Sequence, residues 1–275
     1  MAYDVGPTAW ARSCNDRDAA GDRFIIDDVM GWMKWLRLLV ATLAVLVVCL
    51  TACGSWRWNA GTTALLARLE AARAPHAVVR YDAREIDGLP APVQRYFRAA
   101  STDAQAVISA VSIRHAGTFN MSTSAEQWKP FTSQQRVITQ RPGFDWNARV
   151  MMFPGVPLHV HDAYVAGVGM LQGAVLGLFT AVDMADTPEL ARGELMRFFA
   201  EAAWYPTAMV PSQGVRWEAV DDTSAHATLT DGALMLKLLF RFNAKGLIDT
   251  VRAESRGRLV DSKTVTAPWQ GRYWR

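Results

Sequence analysis

The sequence contains only three cysteines, Cys14, Cys49 and Cys53, and the long region after residue 53 has none. That region therefore holds no disulfide framework and no thiolate metal site, as suits a domain in an oxidising compartment. Charge is also thin: 29 Lys and Arg against 26 Asp and Glu leave a net +3, with the cations scattered. No basic run with interleaved aromatics occurs, so nucleic acid is not expected as a partner. No Ser, Cys or Thr sits in a recognisable nucleophile elbow. Gly167, Gly169, Gly173 and Gly177 punctuate the apolar stretch VAGVGMLQGAVLGLF. They lack both the GxGxxG spacing and the strand-to-helix setting of a phosphate loop, and they read as strand bends or a tightly packed hairpin. His159 and His161 share one face of a strand, about 7 Å apart. Zinc needs three or four ligands, and no Cys or Glu cluster supplies the rest, so they read as solvent-face histidines. No metal and no cofactor is implied.

What is abundant is apolar. Hydrophobic residues make up 51% of the 275 positions and charged ones 20%, which excludes a disordered chain and leaves a globular or membrane-tethered one. From Leu38 to Trp56 no side chain is charged, while Lys34 and Arg37 precede the run and Arg57 follows it. A membrane span needs roughly 20 apolar residues and a signal-peptide core about 7–15. The stretch falls between them, so a transmembrane anchor and a cleaved lipoprotein signal both stay open over 33–56. The tetrapeptide Leu50-Thr51-Ala52-Cys53 resembles a bacterial lipobox, which would make Cys53 a lipidation site. Residues 1–32 read as a disordered polar tail, and Met33 is an alternative start. In either case the charge bias predicts the following domain on the outer side of a membrane.

Beyond the anchor, residues 57–104 read as a helical linker, with apolar spacing in TTALLARLEAAR and again at Val93, Tyr96 and Phe97. From residue 105 to 275 the period is two. Val111, Ile113, His115 and Phe119 share a face, as do Phe144, Trp146 and Ala148, and Val156, Leu158, Val160 and Tyr164. Strands apolar on one side only are characteristic of antiparallel sheets. Val215–Ala219, Ala225–Leu229, Leu234–Phe242 and the following LIDTVRAE form a meander whose turns include Asp231-Gly232. One helix interrupts the strands over about 188–204, with Thr187 as its cap and Pro188 in its first turn. Its Glu194, Arg197 and Glu201 read as a salt-bridged solvent face. The expected fold is α+β, a curved antiparallel sheet with helices packed on one side.

The segments LPAPVQRYFRAA, RHAGTF, WKPF, RPGFDWNAR, GELMRFFAEAAWYPTAMVP, GVRWEAVDD and APWQGRY, spanning about 60–273, resemble an uncharacterised family of bacterial membrane-anchored envelope proteins. That resemblance implies an envelope location but carries no activity. The strand and helix order is also similar to the periplasmic lipoprotein-carrier fold, which implies a curved sheet around an apolar cavity. It further implies strands beyond the PWQGRY segment, so either the sheet closes with fewer strands or the sequence is truncated.

Two polar residues break the phase of the apolar faces. Asp162 falls in line with Val160 and Tyr164, and His115 with Ile113 and Phe119. A buried carboxylate must be paired, so a hydrogen bond between His115 and Asp162 is expected, either as a structural contact or as an acid–base pair. Trp146, Tyr164 and Trp217 are the candidate ligand-binding side chains on the apolar face. The leading functional expectation is non-catalytic binding of a hydrophobic ligand such as a lipid or acyl chain, next to a membrane. The alternatives are a hydrolase using an Asp/His pair, or an envelope assembly protein that binds other proteins through exposed aromatics.

Overall fold

A computed structural model describes residues 10–73, 78–122, 125–260 and 263–274. The chain divides into two compact units, residues 1–53 and residues 54–275. The first helix, α1, runs from Trp10 to Ala72 and contributes to both. Within it, Trp32–Ala72 is long and apolar enough to cross a membrane. The side chains from Leu38 to Leu50 point outward without covering one another, as a span solvated by lipid would require. Thr51 donates its hydroxyl back to the carbonyls of Val47 and Val48 at 3.0 and 2.9 Å, which satisfies it inside the helix.

The second unit is α+β. Strands β1 (Ala110–Asn120), β2 (Trp128–Ile138), β3 (Gly143–Phe153), β4 (Val156–Val165), β5 (Val168–Val175) and β6 (Phe179–Ala185) pair consecutively into a six-stranded antiparallel meander. Tight turns make consecutive pairing possible. Between β4 and β5, Ala166 and Gly167 both adopt positive φ, 55° and 91°, the combination a two-residue hairpin turn demands. Strands β7 (Arg216–Asp221), β8 (Ser224–Asp231), β9 (Leu234–Phe242), β10 (Ile248–Val260) and β11 (Lys263–Arg272) form a second antiparallel meander of five. Where one curved sheet was expected there are two, and the segment between β6 and β7 is what separates them. It holds α3 (Pro188–Glu201) and a succession of short 3-10 turns ending at Gly214.

Helix α3 starts as its sequence predicts: Thr187 accepts a hydrogen bond from the Leu190 amide at 3.2 Å, and Pro188 occupies the first turn. It does not present one face to solvent. It lies between the sheets, against β3, β4 and β5 on one side and β9 and β10 on the other. Leu195, Phe198 and Phe199 are buried in the main core, and so is Glu194. That core also takes in α2 (Ala91–Ala100), through Val93, Tyr96 and Phe97.

The opposite face of the first sheet, read as its wet side, is covered too. Leu65 and Leu69 of α1 bury themselves against Ile138, Ala163, Val165 and Met170, and the Arg136 guanidinium clasps Glu70 at 2.8 Å. The meander is thus sandwiched between residues 54–72 of α1 outside and α3 inside. Helices pack on both of its faces rather than on one.

Candidate functional site

Polar side chains gather on both faces of this sheet. On the inner face Arg197 of α3 reaches the β4 carboxylate of Asp162 and bonds Glu201 at 2.8 Å, while Gln135 donates to the other Glu201 oxygen at 2.6 Å. The guanidinium lies over the rings of Trp146 and Phe144, 4.7 and 5.3 Å from their centroids. Stacking and ion pairing together offset the cost of taking the charge out of water. Glu194 adds a second carboxyl beside Asp162. Burial pushes its pKa well above the usual carboxylate range, and the Asp162 charge acts in the same direction. Ionising both of these crowded carboxyls is costly, so the site favours a proton on Glu194.

A stability consequence follows. A raised carboxyl in the folded state binds a proton that the unfolded chain has released, so the folded state loses stability as pH rises above the usual glutamate value. Glu194→Gln keeps a donor toward Asp162 and cannot ionise. Urea midpoints of the natural chain should fall between about pH 5 and pH 8 more steeply than those of the variant. Parallel pH profiles would show that Glu194 is not protonated in the fold.

His115 and Asp162 both lie on this inner face, as their phase predicts, but they do not pair. His115 is on β1 and Asp162 on β4, with β2 and β3 between them, a lateral distance of about 14 Å at ordinary strand spacing. His115 Nδ1 instead meets Ser133 Oγ at 3.0 Å, and its ring tilts against Trp204 at 5.3 Å. Burial holds its imidazole below the ordinary value, with Glu201 opposing and Arg197 adding to the shift. Asp162 bonds Arg197, while His115 only feels the charges of Arg197 and Glu201. Alternation reports the face of a strand and says nothing about which strand lies next to it.

The outer face holds the His–Asp contact that the sequence reading assigned elsewhere. Asp145 Oδ1 and His161 Nδ1 are 2.7 Å apart, with both side chains at most 5% exposed. His161 Nε2 meets Thr62 Oγ1 of α1 at 2.9 Å. Trp58 stacks on the imidazole, ring centroids 4.6 Å apart, and donates its indole N–H to Asn147 Oδ1 at 3.1 Å. His161 is not the solvent-face histidine its spacing predicts, because the alternation of β3 and β4 cannot reveal that α1 returns over that face. The signal present was two polar side chains at diagonal positions of adjacent strands, since Asp145 pairs with Ala163 and His161 with Asn147.

The three predicted ligand contacts are packed by side chains of the chain itself. Trp146 lies under Arg197 and against Phe131. Tyr164 is fully buried and donates its hydroxyl to Asp231 at 2.7 Å, tying the two sheets together. Trp217 donates to the Met209 carbonyl at 3.0 Å and sits among Phe97, Phe240 and Phe242. Cys53 is a free, exposed thiol on α1. Among the described residues no group of three or more His, Cys, Asp or Glu is arranged to hold a metal ion.

A concave site does open in the second sheet. Strand β10 pairs with β9 only from Ile248 to Arg252. Beyond that, Leu234–Leu238 of β9 pairs with β8 alone, and β10 turns away at a bulge between Ala253 and Arg256 to pair with β11 alone. The parted strands leave a groove of about 660 Å³, closed at one side by Arg192 and Met196 of α3. Its walls are apolar at Met196, Met235, Leu236 and Leu239, and Arg192, Lys237 and Arg252 bring cations to it. Glu254 also lines it, Glu218 holds Lys237 at 2.5 Å, and Arg192 spends one N–H on the Met235 carbonyl at 3.0 Å.

Architecture and site together describe an α+β domain of two antiparallel meanders around a buried helix, preceded by an apolar helix that could serve as a membrane anchor or a signal. Residues 87–275 match the model of the family of unknown function DUF6920, and the chain belongs to that family. No curated protein matches the chain, and no solved structure does.

Proposed function

We propose that this chain is a membrane-tethered domain, on the outer side of a bacterial membrane, that binds an anionic amphiphile in the groove between β9, β10 and α3. The anchor is read as a single-pass span, with Lys34 and Arg37 retained inside and the domain outside. A lipid anchor on Cys53 is the variant reading. The observation that carries the proposal is the groove itself. Its volume of about 660 Å³ falls inside the roughly 300–1,000 Å³ range of small-molecule sites. Its Met and Leu walls suit a flexible acyl chain, since methionine adapts to irregular apolar shapes. Arg252 has no ion-pair partner among the described residues, so the cations at the rim are not all neutralised from within.

The test is displacement of a fluorescent fatty acid from the full chain in neutral detergent, by hexadecanoate and by hexadecanol. Hexadecanoate should compete at least tenfold better, a difference of about 1.4 kcal/mol. Arg252→Glu should remove that preference, and Leu239→Asp should weaken both ligands. Equal competition by acid and alcohol, or unchanged affinity in Leu239→Asp, would place binding elsewhere and reject this groove.

A further inference from the structure

Independently of the groove, we infer that Thr62, His161 and Asp145 form a hydroxyl–imidazole–carboxylate relay able to cleave an ester by acyl transfer to Thr62. The proton assignments follow from the partners. The Asp145 carboxylate can only accept, so His161 carries a proton on Nδ1 and donates it across 2.7 Å. In the neutral imidazole Nε2 is then an acceptor, and the Thr62 hydroxyl is the donor that meets it at 2.9 Å. That is the order of contacts by which a buried carboxylate fixes the tautomer of a general base and the base activates a hydroxyl. The ring is held in place by Trp58 above it. The Trp58 carbonyl lies 3.0 Å from Thr62 Oγ1, one helical turn back. It competes with Nε2 for the single Thr62 hydroxyl proton.

A substrate has a place to sit. A cleft of about 440 Å³ reaches Thr62, Asp145 and Asn147, with Leu66 on its apolar side. Asn147 Nδ2 already approaches Thr62 Oγ1 at 3.3 Å, so its second N–H is the donor nearest a developing oxyanion. In the reaction Thr62 Oγ1 attacks the ester carbonyl carbon while its proton passes to His161 Nε2. The carbon–alkoxy bond then breaks, and the alkoxide leaves as an alcohol with that proton. Water attacks the acyl-threonine next and gives one proton to Nε2. That proton returns to Thr62 Oγ1 as the carboxylic acid departs. Acid and alcohol are the only products, and no co-reactant beyond water is consumed.

The experiment uses the full chain in detergent micelles, an alkyl phosphonofluoridate as the covalent probe and p-nitrophenyl butyrate as the ester. The expected result is a single adduct by intact mass, mapped to Thr62, with measurable ester turnover. Thr62→Val, which keeps the shape, should lose the adduct and reduce turnover by roughly 10²–10⁴-fold, and His161→Gln should do the same. Thr62→Ser should restore both, a rescue that a purely structural hydroxyl would not need in order to leave the probe unreacted. If His161→Gln does not fold, the valine and serine variants still decide the matter. No adduct at Thr62 in the natural chain, or equal turnover in Thr62→Val, overturns the inference. Neither result bears on fatty-acid displacement from the groove, which is on the other sheet.

Discussion

Replacing Arg197 with alanine is expected to destabilise the domain by about 3–5 kcal/mol, read as a shift in the urea midpoint at constant m-value. The magnitude comes from what remains behind rather than from the worth of the bonds. Arg197 bonds both Asp162 and Glu201, whose side chains are only 16% and 15% exposed. Without the guanidinium, each carboxylate is left in a poorly solvated place, and Glu194 already crowds Asp162. The ring faces of Trp146 and Phe144 also lose their partner. Asp162→Asn removes one of the stranded charges, so Arg197→Ala with Asp162→Asn should cost less than the sum of the single changes, by about 0.5–3 kcal/mol. A loss below about 1 kcal/mol for Arg197→Ala, or strict additivity, would mean that water reaches the carboxylates and the network is not closed.

Gly169→Val is expected to cost about 3 kcal/mol, the upper end of the range for overpacking a tight contact. A Cβ at Gly169 would lie 2.6 Å from the backbone nitrogen of Ala191 and 2.7 Å from its Cα. These are backbone atoms of α3, so no side-chain rotation relieves the clash and the helix must move off β5. Leu195, Phe198 and Phe199 ride on that helix, and their burial between the sheets would loosen with it. Gly193 of α3, two residues beyond Ala191, is the control: a Cβ there meets nothing within 4 Å. Gly193→Ala should therefore raise stability by about 0.5–1 kcal/mol through helix propensity alone. If the two glycines respond alike in thermal melts, the close approach of α3 to β5 is not what holds the helix.

Much of the fold is legible in single segments. The uncharged run from Leu38 to Trp56 identifies the membrane-competent helix because lipid excludes charge over that length. The alternation in FDWNARVMM and VPLHVHDAYV identifies strands and their faces. Thr187-Pro188 marks the start of α3, and Asp231-Gly232 the turn from β8 to β9. Each of these signals is local, since it depends on a side chain's position relative to its own backbone.

What the sequence determined by itself is therefore β1, β3, β4 and β7 to β10, the start of α3, the apolar helix, and the placing of His115 and Asp162 on the core face of their strands. Tertiary structure alone decided the rest. It parted the strands into two sheets with α3 buried between them, where Leu195, Phe198 and Phe199 join the core and Arg197 is paired with Asp162 and Glu201. It set β2 and β3 between His115 and Asp162, because neighbours in a meander follow pairing order and not phase. And it laid residues 54–72 of α1 over the outer face, so that Asp145 and His161 met Thr62 out of water. That last contact spans 99 residues of chain, and no spacing rule within one element can encode it.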